Sequence, residues 1–299
     1  MHRRIRSGKS IIDCGGIANV STHPKHRMRG MATKLMQMAL DICWEKGWPI
    51  SSLITGYGSD GYRVYRKIGY ANTTFIHEYV GTCENVDNAL KTLRRYDGSG
   101  ISEMGEEDLH AVMKIHDEYG IKISGYCQRS EKYWRKKIME KTYYQSFFYE
   151  GEGIKVFRIP KHEELSEALK YFEIMKEAIY MNYIVNQKKL FEAMRGELEE
   201  RIIKGCGELN YEISIRSPYG CTKLEISSGK INVVEGKAKN HIQVTSDGIV
   251  KLIYRVEGFE EMLNEGKDMI RIEIDGEALK IFEAIFPRRM FQISPIDEW

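Results

Sequence analysis

The stretch Gly16–Ala32, GIANVSTHPKHRMRGMA, decides how this chain is read. Its apolar start, Ile17, Ala18 and Val20, predicts a strand. Pro24 predicts a turn, and the residues after Gly30 predict a helix. A strand that stops at a basic, glycine-bearing turn opening a helix is a ready anion site. The first N–H groups of the helix have no intrahelical partner, its positive dipole end faces the turn, and Arg27 and Arg29 add full charges. Gly30 has no Cβ, so a phosphate can approach the main chain closely.

Working outward, Ala32, Leu35, Met36, Ala39 and Cys43 follow helical spacing, with Lys34, Gln37 and Asp41 on the other side. That stripe predicts core packing against a sheet, and Gly47 and Pro49 supply a stop. Ile50–Thr55 reads as the next strand. Ser59 or Asp60 then caps a short helix running to Lys67 and closed by Gly69. Tyr70–Tyr79, rich in β-branched and aromatic residues, reads as further strand. This alternation implies a βαβ layer with ligands at the carboxyl ends of the strands.

Farther along, Gly98-Ser99-Gly100 reads as a linker and Glu106–Glu118 as a helix. Leu165–Tyr183 and Gln187–Lys204 read as two more helices whose many Glu and Lys residues are solvated faces. From Gly205 the pattern changes to strands at Tyr211–Ile215, Lys223–Ile226 and Ile231–Val234, which Ile249–Val256 continues. Phe259–Leu263 and Glu277–Phe286 read as helices, and Pro287 precedes a tail ending at Trp299.

Composition bounds these readings. A chain of 299 residues is expected to hold two or three domains, and 42% hydrophobic with 29% charged residues describes globular material. A net charge of +2 argues against a general nucleic-acid binder. The basic start, His2-Arg3-Arg4-Ile5-Arg6 with Lys9, is followed by Ser10–Gly15, too short and polar for a signal peptide. No apolar run has membrane-spanning length, so the expectation is a cytoplasmic protein without a membrane. The six cysteines are scattered without a C-x-x-C pair, as in a reducing compartment, and no zinc framework is expected. His110 and His116, six residues apart, do not share a helical face, so no metal site is expected there.

The second informative stretch is Ser59-Asp60-Gly61-Tyr62-Arg63-Val64-Tyr65-Arg66-Lys67-Ile68-Gly69-Tyr70. Its Y-R-K-I-G-Y resembles the Y-x-K/R-x-G-Y/F signature on the last helix of the GNAT N-acetyltransferases. The R-x-x-G-x-A of Arg27–Ala32 resembles their acetyl-CoA pyrophosphate loop. With the two at this separation, the chain most resembles the enhanced-intracellular-survival (Eis-like) branch. The resemblance implies an α+β, α/β protein in three parts. Residues 1–98 would be a GNAT mixed-sheet domain lacking N-terminal strands, 99–204 a degenerate second GNAT domain, and 205–299 a sterol-carrier-protein-like domain.

Carried over by position, the resemblance implies that Val20, Ser21 and Thr22 present strand backbone to the pantetheine arm of acetyl-CoA. Arg27, Met28, Arg29, Gly30, Met31, Ala32 and Thr33 would hold the pyrophosphate, with Ser59 and Asp60 beside the cosubstrate. Tyr65 would protonate the departing CoA thiolate. The carboxylate of Trp299, threaded back into the site, would be the base for the acceptor amine. The acceptor would be a primary amine of an aminoglycoside-like polycation or of lysine, the assembly a homo-oligomer, and no metal would be needed. A phenol near ~10 suits a donor to a thiolate. A free α-carboxyl near ~3.5 serves as base only if burial raises it, or if it mainly orients a cationic amine. Tyr62, one turn from Tyr65, competes for the acid's role. His23 and His26, beside Pro24 and Arg27, read as solvent-exposed or phosphate-adjacent.

The resembled fold begins with three strands before the cofactor strand, whereas Met1 stands almost directly before it here. The strand at Ile17–Val20 is therefore expected to form an exposed sheet edge, with the acceptor-facing half missing. A rival reading follows: a non-catalytic protein that binds an apolar ligand or partner through the carrier-like part and keeps the GNAT layer as a remnant.

Overall fold

The basic start of the chain folds as a hairpin. β1 (His2–Ser7) turns at Gly8 and pairs antiparallel with β2 (Ser10–Gly16), from Ser7↔Ser10 to His2↔Gly15. Ile5 and Ile12 face each other in this register and are both buried. In the computed structural model the described residues are 1–80, 84, 88, 105–139, 170, 173–289 and 291, without the side chains of 77–80, 137–139 and 173–177. The sequence-predicted linker at Gly98–Gly100, and Trp299, lie outside them.

After the hairpin come α1 (Met31–Lys46), β3 (Ile50–Gly56), α2 (Asp60–Ile68) and β4 (Ala71–Val80). α3 (Leu109–Gly120), β5 (Ser124–Cys127) and β6 (Glu173–Ile184) follow. One six-stranded sheet has the order β4-β6-β3-β2-β1-β5. β2 runs parallel to β3, and β1 lies antiparallel to both β2 and β5. The expected exposed edge is therefore corrected. The strand here is Ser10–Gly16 rather than Ile17–Val20, and it has β1 on one side and β3 on the other. Sequence reading missed β1 because its arginines mask the alternation, with Arg4 exposed and Ile5 buried beside it.

β6 corrects the helix expected over Leu165–Tyr183 from Glu173 onward, most of the earlier part of that span lying outside the described residues. Its Glu, Lys, Met and Ala content favours a helix, but Ile179, Tyr180, Met181, Asn182 and Ile184 are all buried between β3 and β4. A strand walled on both sides satisfies its backbone there, and tertiary context overrides propensity.

α4 (Gln187–Cys206) buries Leu190, Phe191, Met194, Leu198 and Ile202, one apolar face at helical spacing. That helix touches β2 of the first sheet as well as β8 (Gly220–Ser227) and β9 (Lys230–Glu235) of a second. The second sheet also contains β7 (Tyr211–Ser217), β10 (Asn240–Val244) and β11 (Met269–Glu273), in the order β11-β10-β7-β8-β9. α5 (Ser246–Tyr254), α6 (Phe259–Glu265) and α7 (Gly276–Ile285) complete this part. α5 corrects the strand pattern expected over Ile249–Val256. Ile249, Val250, Leu252, Ile253 and Tyr254 are buried all round, which erases the helical period, while Thr245 caps the start by accepting from the Gly248 N–H at 2.9 Å.

By contact density one unit comprises Met1–Thr74, Ile115–Arg129 and Ile179–Trp299, and another Phe75–Lys114 and Ser130–Ala178. In the second unit Arg135 joins Glu106 at 2.5 Å to Glu131 at 2.8 Å. The first sheet thus draws β5 and β6 from the middle of the chain. Among the described residues no helix is long and apolar enough to cross a membrane.

Candidate functional site

β2 and β3 pair only over Cys14↔Ile50, Gly15↔Ser51 and Gly16↔Ser52. The Ile17 N–H then donates to the Ser52 carbonyl at 2.9 Å, and Asn19 turns the chain at φ 54°. Ile17–Val20 thus leaves β2 as irregular backbone while β3 runs on to Gly56. Strands that part after a short parallel stretch open a cleft at their carboxyl ends. Gly15 lets α1 close over this point: a Cβ there would meet the Cys43 sulfur at 2.2 Å.

The turn after the parted strand is built for access. Ser21, His23–Arg29 and Gly30 are exposed, and Thr22 is half-buried. His23 Nδ1 accepts from the Lys25 N–H at 3.3 Å, and Arg27 Nε donates to the Thr22 carbonyl at 3.4 Å. Met28 (φ 61°) and Gly30 (φ 73°) are both left-handed, and Gly30 is the N-cap of α1 without any side-chain cap. The first helical bond is from Lys34 N–H to Gly30 carbonyl at 3.0 Å, so the amides of Met31, Ala32 and Thr33 begin the helix uncapped. Nothing lies within 4 Å of where a Cβ of Gly30 would stand. Open space, free amides and the Arg27 and Arg29 charges suit a pyrophosphate.

α1 packs on the sheet by Met36, Leu40 and Cys43, not by the whole stripe expected from sequence: Leu35 is exposed. Met36 and Leu40 join Leu53, Tyr65, Tyr70, Ile179 and Met181 in one cluster, against which Ile17, Val20 and Tyr62 pack. Val20 thus packs against the cluster that contains Tyr65. α2 begins as predicted, with Ser59 Oγ accepting from the Tyr62 N–H at 3.1 Å and Gly69 closing it in the left-handed region. Asp60 is exposed and pairs with Arg63 at 3.2 Å.

The two tyrosines separate clearly. Tyr62 OH accepts from Asn72 Nδ2 at 3.1 Å, and its ring lies against Tyr57 at 5.0 Å. Tyr65 is 8% exposed and its hydroxyl has no hydrogen-bond partner among the described residues. Burial raises its phenol above the ordinary value, which keeps it protonated and able to donate. Tyr70, by contrast, spends its hydroxyl on Ser51 at 2.7 Å.

Sequence reading missed a polar group under this site. Asn182 receives the Ser52 hydroxyl and, at 2.8 Å, the Tyr254 hydroxyl on its side-chain oxygen. Its amide donates to Thr73 Oγ1 at 2.7 Å. An asparagine in a strand carries no signal of the partners it will find. Among the described residues no cluster of three or more metal-ligating side chains occurs.

Residues 1–73 match the family model described as an acetyltransferase (GNAT) domain. Two uncharacterized N-acetyltransferases of Streptomyces griseus are each 26% identical over 133 residues, covering 44% of this chain and 31% of the relative. The match thus spans about a third of the length of those curated relatives. Among solved structures, a GCN5-related N-acetyltransferase from Anabaena variabilis aligns with a TM-score of 0.62 at 15% identity, covering 100% of this chain and 85% of the other. Eis1 from Mycobacterium abscessus gives 0.57 at 12%, covering 97% and 84%. A probable N-acyltransferase from Enterococcus faecalis gives 0.63 at 13%, covering 98% and 84%. At these identities the likeness is one of fold.

Proposed function

Because residues 1–73 carry a GNAT acetyltransferase domain, we propose that the chain is an acetyl-CoA-dependent N-acetyltransferase of the Eis-like type. Its acceptors are primary amines of an aminoglycoside-like polycation or of lysine. The observation that carries this reading is the pairing of an open, uncapped basic turn at Arg27–Thr33 with the free, protonated hydroxyl of Tyr65. The turn's amides hold the pyrophosphate, Val20, Ser21 and Thr22 line the pantetheine arm, and Ser59 and Asp60 stand at the head of α2. As the neutral amine attacks the thioester carbon, a C–N bond forms and the C–S bond breaks. The proton of Tyr65 goes to the departing sulfur, and the ammonium proton goes to a carboxylate.

That carboxylate is assigned to Trp299. Phe291 forms a bridge parallel to Ser124, the start of β5, which runs antiparallel to β1. β1 in turn pairs its His2 with Gly15, the residue two before Ile17. Eight residues follow Phe291 and reach at most about 28 Å when extended. The reading keeps residues 99–204 as a degenerate second GNAT domain and 205–299 as sterol-carrier-like.

The test is a pair of substitutions assayed with acetyl-CoA and a panel of polyamines, aminoglycosides and lysine peptides. Tyr65→Phe is expected to lower turnover by about 100-fold or more with acetyl-CoA affinity unchanged, in the range of general acid catalysis. Tyr62→Phe is expected to be mild. A damaging Tyr62 change with a harmless Tyr65 change would overturn the assignment of the acid. Tight acetyl-CoA binding with no transfer to any amine would favour the carrier reading.

A further inference from the structure

Near the turn that joins β1 to β2, positive charge is buried with too little negative charge to match it. Arg201 of α4 and Arg255, directly after α5, are 9% and 3% exposed. Arg201 Nε pairs with Glu197 at 2.9 Å and its Nη1 donates to the Ile285 carbonyl at 2.6 Å, but its Nη2 is buried without an acceptor among the described residues. Arg255 has less. Its Nε donates to the Ser124 hydroxyl at 3.0 Å, its Nη2 is likewise buried without an acceptor, and among the described residues no carboxylate bonds to it. Glu197 is already shared, since its other oxygen accepts from the Lys9 N–H at 2.8 Å. Lys9 and Glu200 pair with each other at 2.7 Å. The exposed Arg289, whose N–H donates to the Arg255 carbonyl at 2.9 Å, brings a third positive charge close enough to act on both buried guanidiniums. Three arginines thus share one carboxylate, and all of them belong to one compact unit.

Buried charges are ordinarily paired, because an unpaired one loses its hydration without replacement. Burial first, and then the charges of Arg201 and Arg289, push Arg255 down to about 9, so it is still a cation at neutral pH. Its backbone is strained as well: φ is 57°, the left-handed conformation in which helices usually end on glycine or asparagine. We propose that Arg201, Arg255 and Arg289 form a site for an oxyanion, the phosphate or carboxylate group of a small solute. The guanidinium forks of Arg201 and Arg255 supply the buried donors, a geometry that suits paired oxygens, and the exposed Arg289 forms the entrance. A bound oxyanion gives the orphan N–H groups an acceptor and offsets the surplus charge. The site is distinct from the turn at Arg27–Thr33. Ser124 stands opposite Ser7 in the β1–β5 ladder, and Ser7 opposite Ser10 at the start of β2, whereas the cleft opens past Gly16, roughly 20 Å along the strand. It does not depend on the acetyltransferase reading.

Thermal unfolding of the full chain in inorganic phosphate, acetate or chloride at matched ionic strength tests this. Phosphate or acetate is expected to raise the wild-type melting temperature by roughly 3 °C or more over chloride. A gain with phosphate alone identifies a phosphate group as the ligand, and a gain with acetate alone a carboxylate. Phosphate held at the Arg27–Thr33 turn would also stabilise, so two variants decide. Arg255→Met is expected to lose the gain. In chloride it is expected to melt no lower than wild type, because the unpaired buried charge is gone. Arg289→Ala, changed at an exposed position, is expected to keep the wild-type melting temperature in chloride and to lose about half of the gain. A wild type indifferent to both oxyanions overturns the proposal. So does an equal gain in all three proteins, which would place the ion at the turn or make it a general salt effect. An Arg255→Met protein that melts several degrees lower in chloride, beside an Arg289→Ala protein with the full gain, would make the guanidinium purely structural and likewise overturn it.

Discussion

Replacing Gly30 separates two things a glycine can do at a phosphate turn. Its φ of 73° lies in the left-handed region, where an alanine costs about 1–2 kcal/mol and asparagine is tolerated far better. A Cβ there meets nothing within 4 Å, so no steric clash adds to this in the free protein. Gly30→Ala is thus expected to lower the melting temperature by a few degrees in a unit of this size, and Gly30→Asn by less. Cofactor binding is expected to behave differently. A Cβ fills the open side of the turn, where the uncapped amides of Met31–Thr33 start the helix. Displacing the phosphate from one such amide removes a hydrogen bond to a charged group, about 1.5–3 kcal/mol, or roughly 10- to 150-fold in Kd. Titration calorimetry with acetyl-CoA, beside thermal unfolding of the same variants, reads both quantities. Affinity lost in Gly30→Ala, Gly30→Asn and Gly30→Val alike, while stability falls only in step with strain, is the expected result. Wild-type affinity in Gly30→Asn would refute the close approach and leave strain as the glycine's sole reason.

Two further expectations concern other parts of the chain. Adding a few residues after Trp299 displaces its carboxylate while leaving the bridge at Phe291 in place, so acetyl transfer is expected to fall at least tenfold with acetyl-CoA binding intact; unchanged transfer would remove the carboxylate from the mechanism. At the cap of α5, burial opposes ionisation of Asp268, but hydrogen bonds from Lys251 and Thr245, each 2.7 Å, outweigh it and hold the carboxyl below its usual range. A depressed carboxyl stabilises the fold above its unfolded pKa near ~3.9, and that contribution is lost as pH falls through the lower folded value. The stability gap between wild type and Asp268→Asn is expected to be full at pH 6 and to shrink below pH ~4 in urea unfolding. An equal gap at pH 6 and pH 3 would show that the charge is not what stabilises.

Much of the local structure around the candidate site was legible because its signals are local. The cap of α2, read as Ser59 or Asp60 and found at Ser59, and Gly69 as its stop act on neighbouring backbone, and α1 begins directly after Gly30 as the sequence places it. The errors arise where a residue's state is set by partners far along the chain. Glu173–Ile184 is a strand because β3 and β4 flank it, and β5 from beyond residue 120 covers the edge of β1. Ile249–Tyr254 is a helix because apolar contacts surround it, which flattens the period that would have announced it. Leu35 fits the core pattern by spacing and yet faces outward, since helical spacing alone does not say which of two apolar stripes meets the sheet.

The distant partners also bear on how the proposed acid is placed. Tyr65 makes no hydrogen bond that would hold its hydroxyl among the described residues, so its position depends on α2. The last turn of that helix is tied to the second sheet and its helices. Arg66 pairs with Asp247 at 2.5 Å and donates to the Tyr70 carbonyl at 3.1 Å, and Asp247 also accepts from the Asn72 N–H at 2.9 Å. The Tyr219 hydroxyl donates to the Gly69 carbonyl at 2.7 Å. Beneath, the Tyr254 hydroxyl reaches Asn182, which in turn holds Thr73 in the strand that follows. Burial pushes the Tyr219 and Tyr254 phenols far above their ordinary value, so both remain donors across the working pH range. Residues beyond 205 therefore fix the end of the helix whose middle carries the proposed acid, and leave the Tyr65 hydroxyl without a hydrogen bond among the described residues.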